Sequence, residues 1–223
     1  DEPESLRKTK REFIELLIEA GQEAQALDMS QLLHQSYLKK YGPEHALSLG
    51  ALRLYAQVLR LNGKLTEADQ ELSFCLSVCD STLGSEHEET LLIRAEIAAI
   101  RRERNQLERA VTLYREAHYG FVLLYGESHP QSLRIATELG GCYVLQREFD
   151  LSKKWLDPNL ETQRQVCGAG HPETLQSSLW VALRYRMQGS LDLAHALYRK
   201  VYASYQDQFG RHNDRTRSVF NQL

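Results

Sequence analysis

Apolar residues recur along the chain at the three-and-four spacing that lines one face of an α-helix, and glycines break the runs at regular points. Leu175, Leu179, Ala182 and Leu183 line one such run, predicted as a helix over residues 175–188, and a second run over 191–209 stops at Gly210. The breaks have a period: Gly42, Gly84, Gly126, Gly168 and Gly210 stand 42 residues apart. Periodicity of this kind predicts an all-α solenoid of about five antiparallel helix pairs, read as a single domain over residues 1–223. Its repeats are 1–41, 42–83, 84–125, 126–167 and 168–209, followed by a partial or capping helix at 210–223.

Each repeated position has a physical reason. The glycine closes a second helix where the chain turns left-handed without a Cβ clash. Three residues on stands a histidine (His45, His87, His129, His171), and seven on a leucine (Leu49, Leu91, Leu133, Leu175). Between them, six residues after the glycine, comes a hydroxyl residue (Ser48, Thr90, Ser132, Thr174, Thr216). Pro130 and Pro172 open the next helix, where a missing N–H has no partner to lose. Within each repeat a second break falls at Gly21, Gly63, Asn105, Arg147 or Gly189. Five residues later a small side chain (Ala26, Ala68, Ala110, Ser152, Ala194) lets two helices approach closely. The first helix, Leu6 to Ala20, is apolar at Phe13, Ile14, Leu16 and Leu17 and suits an end repeat with one face in water. Pro158, after Asp157, interrupts the second helix of the fourth repeat and predicts a kink or break there, with Trp155 filling the gap.

Composition narrows the function. A net charge of −3 and a pI near 6.3 give no support for nucleic acid as the main partner, since phosphate binding needs a basic face. No apolar run is long enough to span a membrane, and the expected compartment is the cytoplasm. The four cysteines, Cys75, Cys79, Cys142 and Cys167, lack the close pairs that hold zinc and read as reduced thiols, with Cys75 in the core. Successive repeated histidines would lie about 10 Å apart, whereas zinc ligands converge within about 2 Å of one ion. They read instead as closing the loop before each first helix. Phosphate loops, nucleophile elbows and HExxH motifs are absent, so the chain reads as non-catalytic, with no catalytic residues, metal or cofactor. Asp1 is read as the boundary of a fragment.

The text GAGHPETL at Gly168 to Leu175, and its copies at the other glycines, resembles the 42-residue tetratricopeptide repeats of kinesin light chains, nephrocystin-like proteins and NLR-like (STAND) NTPases. The small position of the first helix is met by Ala56, Ala98, Gly140 and Ala182, and the aromatic position of the second helix by Leu72, Tyr114, Leu156 and Tyr198. The resemblance implies a right-handed superhelix whose concave wall, made by the first helices, holds an extended or helical peptide of a partner protein. Its wall would include Arg53, Gln57, Arg60, Ala95, Ala99 and Arg102 in the second and third repeats. The fourth and fifth would add Arg134, Glu138, Gly141, Leu179, Trp180, Leu183 and Arg186. Arg60, Arg102 and Arg186 share one position and suit the carboxylates of an acidic and apolar peptide. A solvated face, or pairing with Glu96, Glu103 and Glu138, is the structural alternative for these arginines; packing against the fourth repeat is the alternative for Trp180. Kinesin light chains carry asparagines just after the repeated leucine; this chain has Gly50, Leu92, Arg134 and Gln176, then Ala51, Ile93, Ile135 and Ser177. Kinesin-type cargo recognition is therefore not implied. Two further readings stand beside the peptide-binding module: the sensor arm of a larger NLR-like NTPase, and an array that self-associates through its last helix.

Overall fold

The computed structural model describes residues 3–211 and 213–222, and eleven helices follow one another there with no strand among the described residues. Asp1, Glu2, His212 and Leu223, inside the expected domain, lie outside the described residues. The pairs are α1 (Glu4–Glu19) with α2 (Glu23–Tyr41) and α3 (Ala46–Leu61) with α4 (Leu65–Thr82), followed in the chain by α5 (Glu88–Glu103) and α6 (Leu107–Tyr125). Then come α7 (Pro130–Leu145) with α8 (Phe149–Val166), α9 (Pro172–Met187) with α10 (Leu191–Phe209), and a single α11 (Asp214–Phe220). Two compact bodies gather these elements: Asp1–Gln106 with α1 to α5, and Leu107–Leu223 with α6 to α11.

The repeated text sits at the joins. The four histidines are N-caps: each Nδ1 accepts a hydrogen bond from the backbone N–H two residues on, at 3.2 Å for His45 and His87 and 3.3 Å for His129 and His171. Asn213 does the same for α11 through Oδ1, at 2.9 Å. Capping satisfies a donor the helix cannot use internally. Tyr41 stacks on His45 and Tyr125 on His129, with centroids 4.8 and 4.4 Å apart. The hydroxyl staples the turn from the other side, Thr90 and Ser132 each donating to the carbonyl of the glycine six residues back at 2.8 Å. Gly42 and Gly210 have φ of 84° and 80° with ψ of 171° and 169°, an extended positive-φ conformation rather than the left-handed turn expected from the sequence. That region is essentially closed to side-chain-bearing residues.

Within each repeat the small side chains Ala26, Ala68, Ala110, Ser152 and Ala194 are all buried, as are Leu72, Tyr114, Leu156 and Tyr198. Gly140 lies under Leu156, whose side chain would be 2.6 Å from an added Cβ. In α1, Ile14 and Leu17 are buried but Phe13 and Leu16 face solvent. At Pro158 the structure shows no break: α8 runs unbroken from Phe149 to Val166 with the proline inside it. The lost hydrogen bond falls at Lys154, on the exposed side, while Leu156, Asn159 and Leu160 anchor the inner side. Trp155 meets the His118 ring of α6 edge-to-face, 4.9 Å between centroids.

A buried polar group joins α7, α8 and α9. Asn159 donates to Thr137 (2.8 Å), Ser177 donates to Gln163 (2.6 Å), and the Thr137 and Ser177 hydroxyls are 2.7 Å apart. Near it Arg184, 2% exposed, reaches Asp157 at 2.7 Å. None of the four cysteines is in a disulfide, and three of them are buried; the Cys79 thiol, then burial, raises the Cys75 pKa, which suits the core role read from sequence.

Two substitutions test this packing. Arg147 holds φ at 63° in the position that Gly21, Gly63 and Gly189 fill elsewhere, so Arg147→Gly is expected to raise stability by about 1 kcal/mol in a denaturant melt. A Cβ on Gly141 would come 2.4 Å from the Trp180 ring, so Gly141→Ala is expected to cost about 1–3 kcal/mol, and to cost much less when Trp180→Leu is made with it.

Candidate functional site

The expected wall residues fall in both bodies, and each body presents its own face. In the first body Arg53 leaves α3 and meets two carboxylates of α5, Glu89 at 2.8 Å and Glu96 at 2.9 Å. Burial opposes its charge, but Glu96 and Glu89 outweigh that and hold its pKa above the ordinary arginine value. Arg60 makes a third ion pair from α3 to α5, with Glu103 at 2.5 Å. Gln57 between them and Arg102 on α5 are half-buried. Arg53 and Arg60 therefore clip one first helix to the next, pairing with two of the acids foreseen as their structural alternative.

The second body builds its face differently. Arg134 of α7 is half-buried, its Nε donating to Gln131 at 3.0 Å, and Glu138 is half-buried on the same helix. Burial raises the pKa of Glu173 on α9, with Arg134 acting against the shift and Glu138 with it. Trp180 and Leu183 pack on Val144, Leu156, Leu160 and Val181, and Leu179 packs on the Leu175, Ala182 and Tyr198 cluster. Trp180 thus lies against the fourth repeat, over Gly141. Arg186 is exposed, donates to Gln222 beyond α11, and lies 5.9 Å from the Tyr198 ring centroid.

A cleft of about 600 Å³ opens in the first body among α1, α3 and the start of α5. Leu47, Gly50, Ala51 and Leu54 of α3 supply its apolar floor, Lys8 and Arg11 of α1 stand at one lip, and Arg53 with Glu89 stands at the other. Gly50 is unusual there. It sits in mid-helix, where glycine costs about 1 kcal/mol relative to alanine, yet an added Cβ would meet nothing within 4 Å. The corresponding positions of the other repeats carry the larger side chains Leu92, Arg134 and Gln176. Among the described side chains Lys8 pairs with Glu12 (3.7 Å) and Arg11 with Glu15 (3.2 Å) on the same exposed helix face, contacts that water screens to under about 1 kcal/mol each. Glu89, by contrast, is bound to Arg53. Among the residues that line the cleft Lys8, Arg11 and Arg53 are positive and Glu89 is negative, so the lining is net positive. Of the expected wall residues only Arg53 lines this cleft; Lys8, Arg11, Leu47 and Leu54 were missed, and the Gly50 departure was their visible signal.

No described helix is long and apolar enough to cross a membrane, and no group of three metal-ligating side chains occurs among the described residues. The sequence pattern of the tetratricopeptide repeat family matches residues 47–118 and 122–207, more than half of the chain. Among curated proteins the chain is 26% identical over 177 residues to the clustered mitochondria protein homolog of Xenopus tropicalis, and 25% identical to that of Homo sapiens. Each match covers 79% of this chain but only 14% of the relative, so the chain corresponds to a small part of those proteins. A Podosopora anserina kinesin light chain-like protein of nearly identical TPR-like repeats superposes with a TM-score of 0.71 at 22% identity, covering 94% of this chain and 99% of that one. BtubC (BKLC) from P. vanneervenii gives 0.68 at 19% identity, covering 89% and 79%. These likenesses show the fold, an α-solenoid of helix pairs with a further C-terminal helix. With the family pattern, the junction histidines and the buried small positions in agreement, the chain belongs to the tetratricopeptide repeat family.

Proposed function

We propose that the chain is a non-catalytic protein-interaction module that seats a partner segment, apolar with acidic neighbours, in the cleft among α1, α3 and the start of α5. A single observation carries the reading: an apolar floor with a space at Gly50 lies beside the weakly paired cations Lys8 and Arg11. An apolar side chain entering the floor would leave water, at about 25 cal/mol per Å² buried. Carboxylates beside it would meet Lys8 and Arg11, which steer encounter and fix orientation more than they add affinity. The arginine column takes a narrower part than the sequence suggests. Arg53 and Arg60 hold α5 in place, and an acidic partner would have to displace Glu89, Glu96 or Glu103 to use them.

The test compares proteins retained from a lysate by the wild-type chain and by a Lys8→Glu, Arg11→Glu variant whose helicity and melting are unchanged. Retention is expected to fall at least tenfold for proteins that bind this cleft, and Gly50→Leu is expected to remove the same proteins while raising the melting temperature. Retention indifferent to all three changes would overturn the assignment.

A further inference from the structure

A repeat array carries its own comparison, since each position recurs every 42 residues. Where α6 has Tyr119, the other second helices have Gln35, Ser77, Glu161 and Ala203; where it has Leu123, they have Lys39, Ser81, Gln165 and Asp207. Tyr119 is 65% exposed and Leu123, one turn on, 56% exposed. The fold explains neither, because side chains in water add no core packing, and clustered exposed apolar residues mark contact surfaces.

Beside them, between α6 and α8, a cleft of about 680 Å³ is walled by Tyr119, Val122, His118 and Trp155. The His118 and Trp155 rings meet edge-to-face, with 88° between their planes. Arg115 and Glu116 are neighbours of opposite charge on α6, and Glu127, in the turn after Gly126, completes the lining and leaves it net negative. Electrostatics inside the cleft agree. Burial lowers the His118 pKa, and among the described residues the charge that opposes this is Glu127. Aromatic faces beside one carboxylate are the complement of a positive side chain with an apolar stem.

We propose that this cleft is a second protein-binding surface, which takes a lysine or arginine side chain of a partner protein, its charge on Glu127 and its stem against Tyr119, Val122 and Trp155. It lies on second helices, whereas the proposed function above uses first helices, so the two surfaces can be tested apart.

The experiment is a selection of displayed random dodecapeptides on the whole wild-type chain, with each enriched clone then measured on two variants. The first is Tyr119→Gln with Leu123→Lys, the residues that the first repeat carries at these positions. The second is Glu127→Gln, an exposed change with no expected effect on melting. The expected result is a class of clones rich in lysine or arginine that loses at least tenfold in affinity on both variants. Clones lost on these variants but acidic or uncharged would replace the proposed partner with another kind and overturn it. Selection that yields no clone sensitive to either variant would overturn the surface itself.

Discussion

Everything in this structure hangs on the join between a second helix and the first helix that follows it. A glycine at positive φ turns the chain, a histidine three residues on caps the new helix, and a hydroxyl at the sixth position donates back to the glycine carbonyl in two of the joins. Each contact is small, about 1 kcal/mol for a cap or a hydrogen bond. Their effect is geometric. The join fixes where a first helix starts and which way it leaves, and so which of its residues enter the seam and which face outward. The cleft of the first body depends on this, because its floor comes from α3 just after one join and Glu89 comes from α5 just after the next.

Much of that was legible in the sequence because it is local. Period, first-turn prolines and small seam positions are rules about a few neighbouring residues, and the structure places each where the pattern set it, while the capping role of the histidines came from the structure. Pro158 was legible as a helix defect but not as a tolerated one, since tolerance depends on the exposed side of α8 and the anchoring of its inner side. The destination of long side chains was harder. Arg53 and Arg60 cross to acids 36 and 43 residues away, and Trp180 crosses to Gly141, contacts set by the distance between helices rather than by spacing along one. The cleft was nearly invisible for the same reason: its lip comes from α1 and its floor from α3, and the one local hint was a glycine where a larger side chain recurs.

Repetition also shows where the chain departs from itself. Apolar seam positions are nearly constant because each repeat must bury the same face against its neighbours. Outward positions are free to differ, and they do so at Gly50 on a first helix and at Tyr119 and Leu123 on a second. Neither departure serves packing, which is why both are read as surfaces for partners. The core supplies a frame, and the exceptions to the repeat carry the individuality of the chain.

The claim beneath all of this is that the junction glycines are required by backbone conformation and not by room. Gly168 has φ of 93°, and an added Cβ would meet nothing within 4 Å. Cys167 directly precedes it, so a synthetic segment from Cys167 onward can be ligated to residues 1–166 with glycine, L-alanine or D-alanine at position 168. Unfolding free energies of the three proteins are the decisive measurement. L-alanine should cost about 1–3 kcal/mol, while D-alanine, whose preferred φ is positive, should match or exceed glycine. Equal losses for both alanines would contradict the account, because they would mean that space rather than handedness keeps glycine at the join.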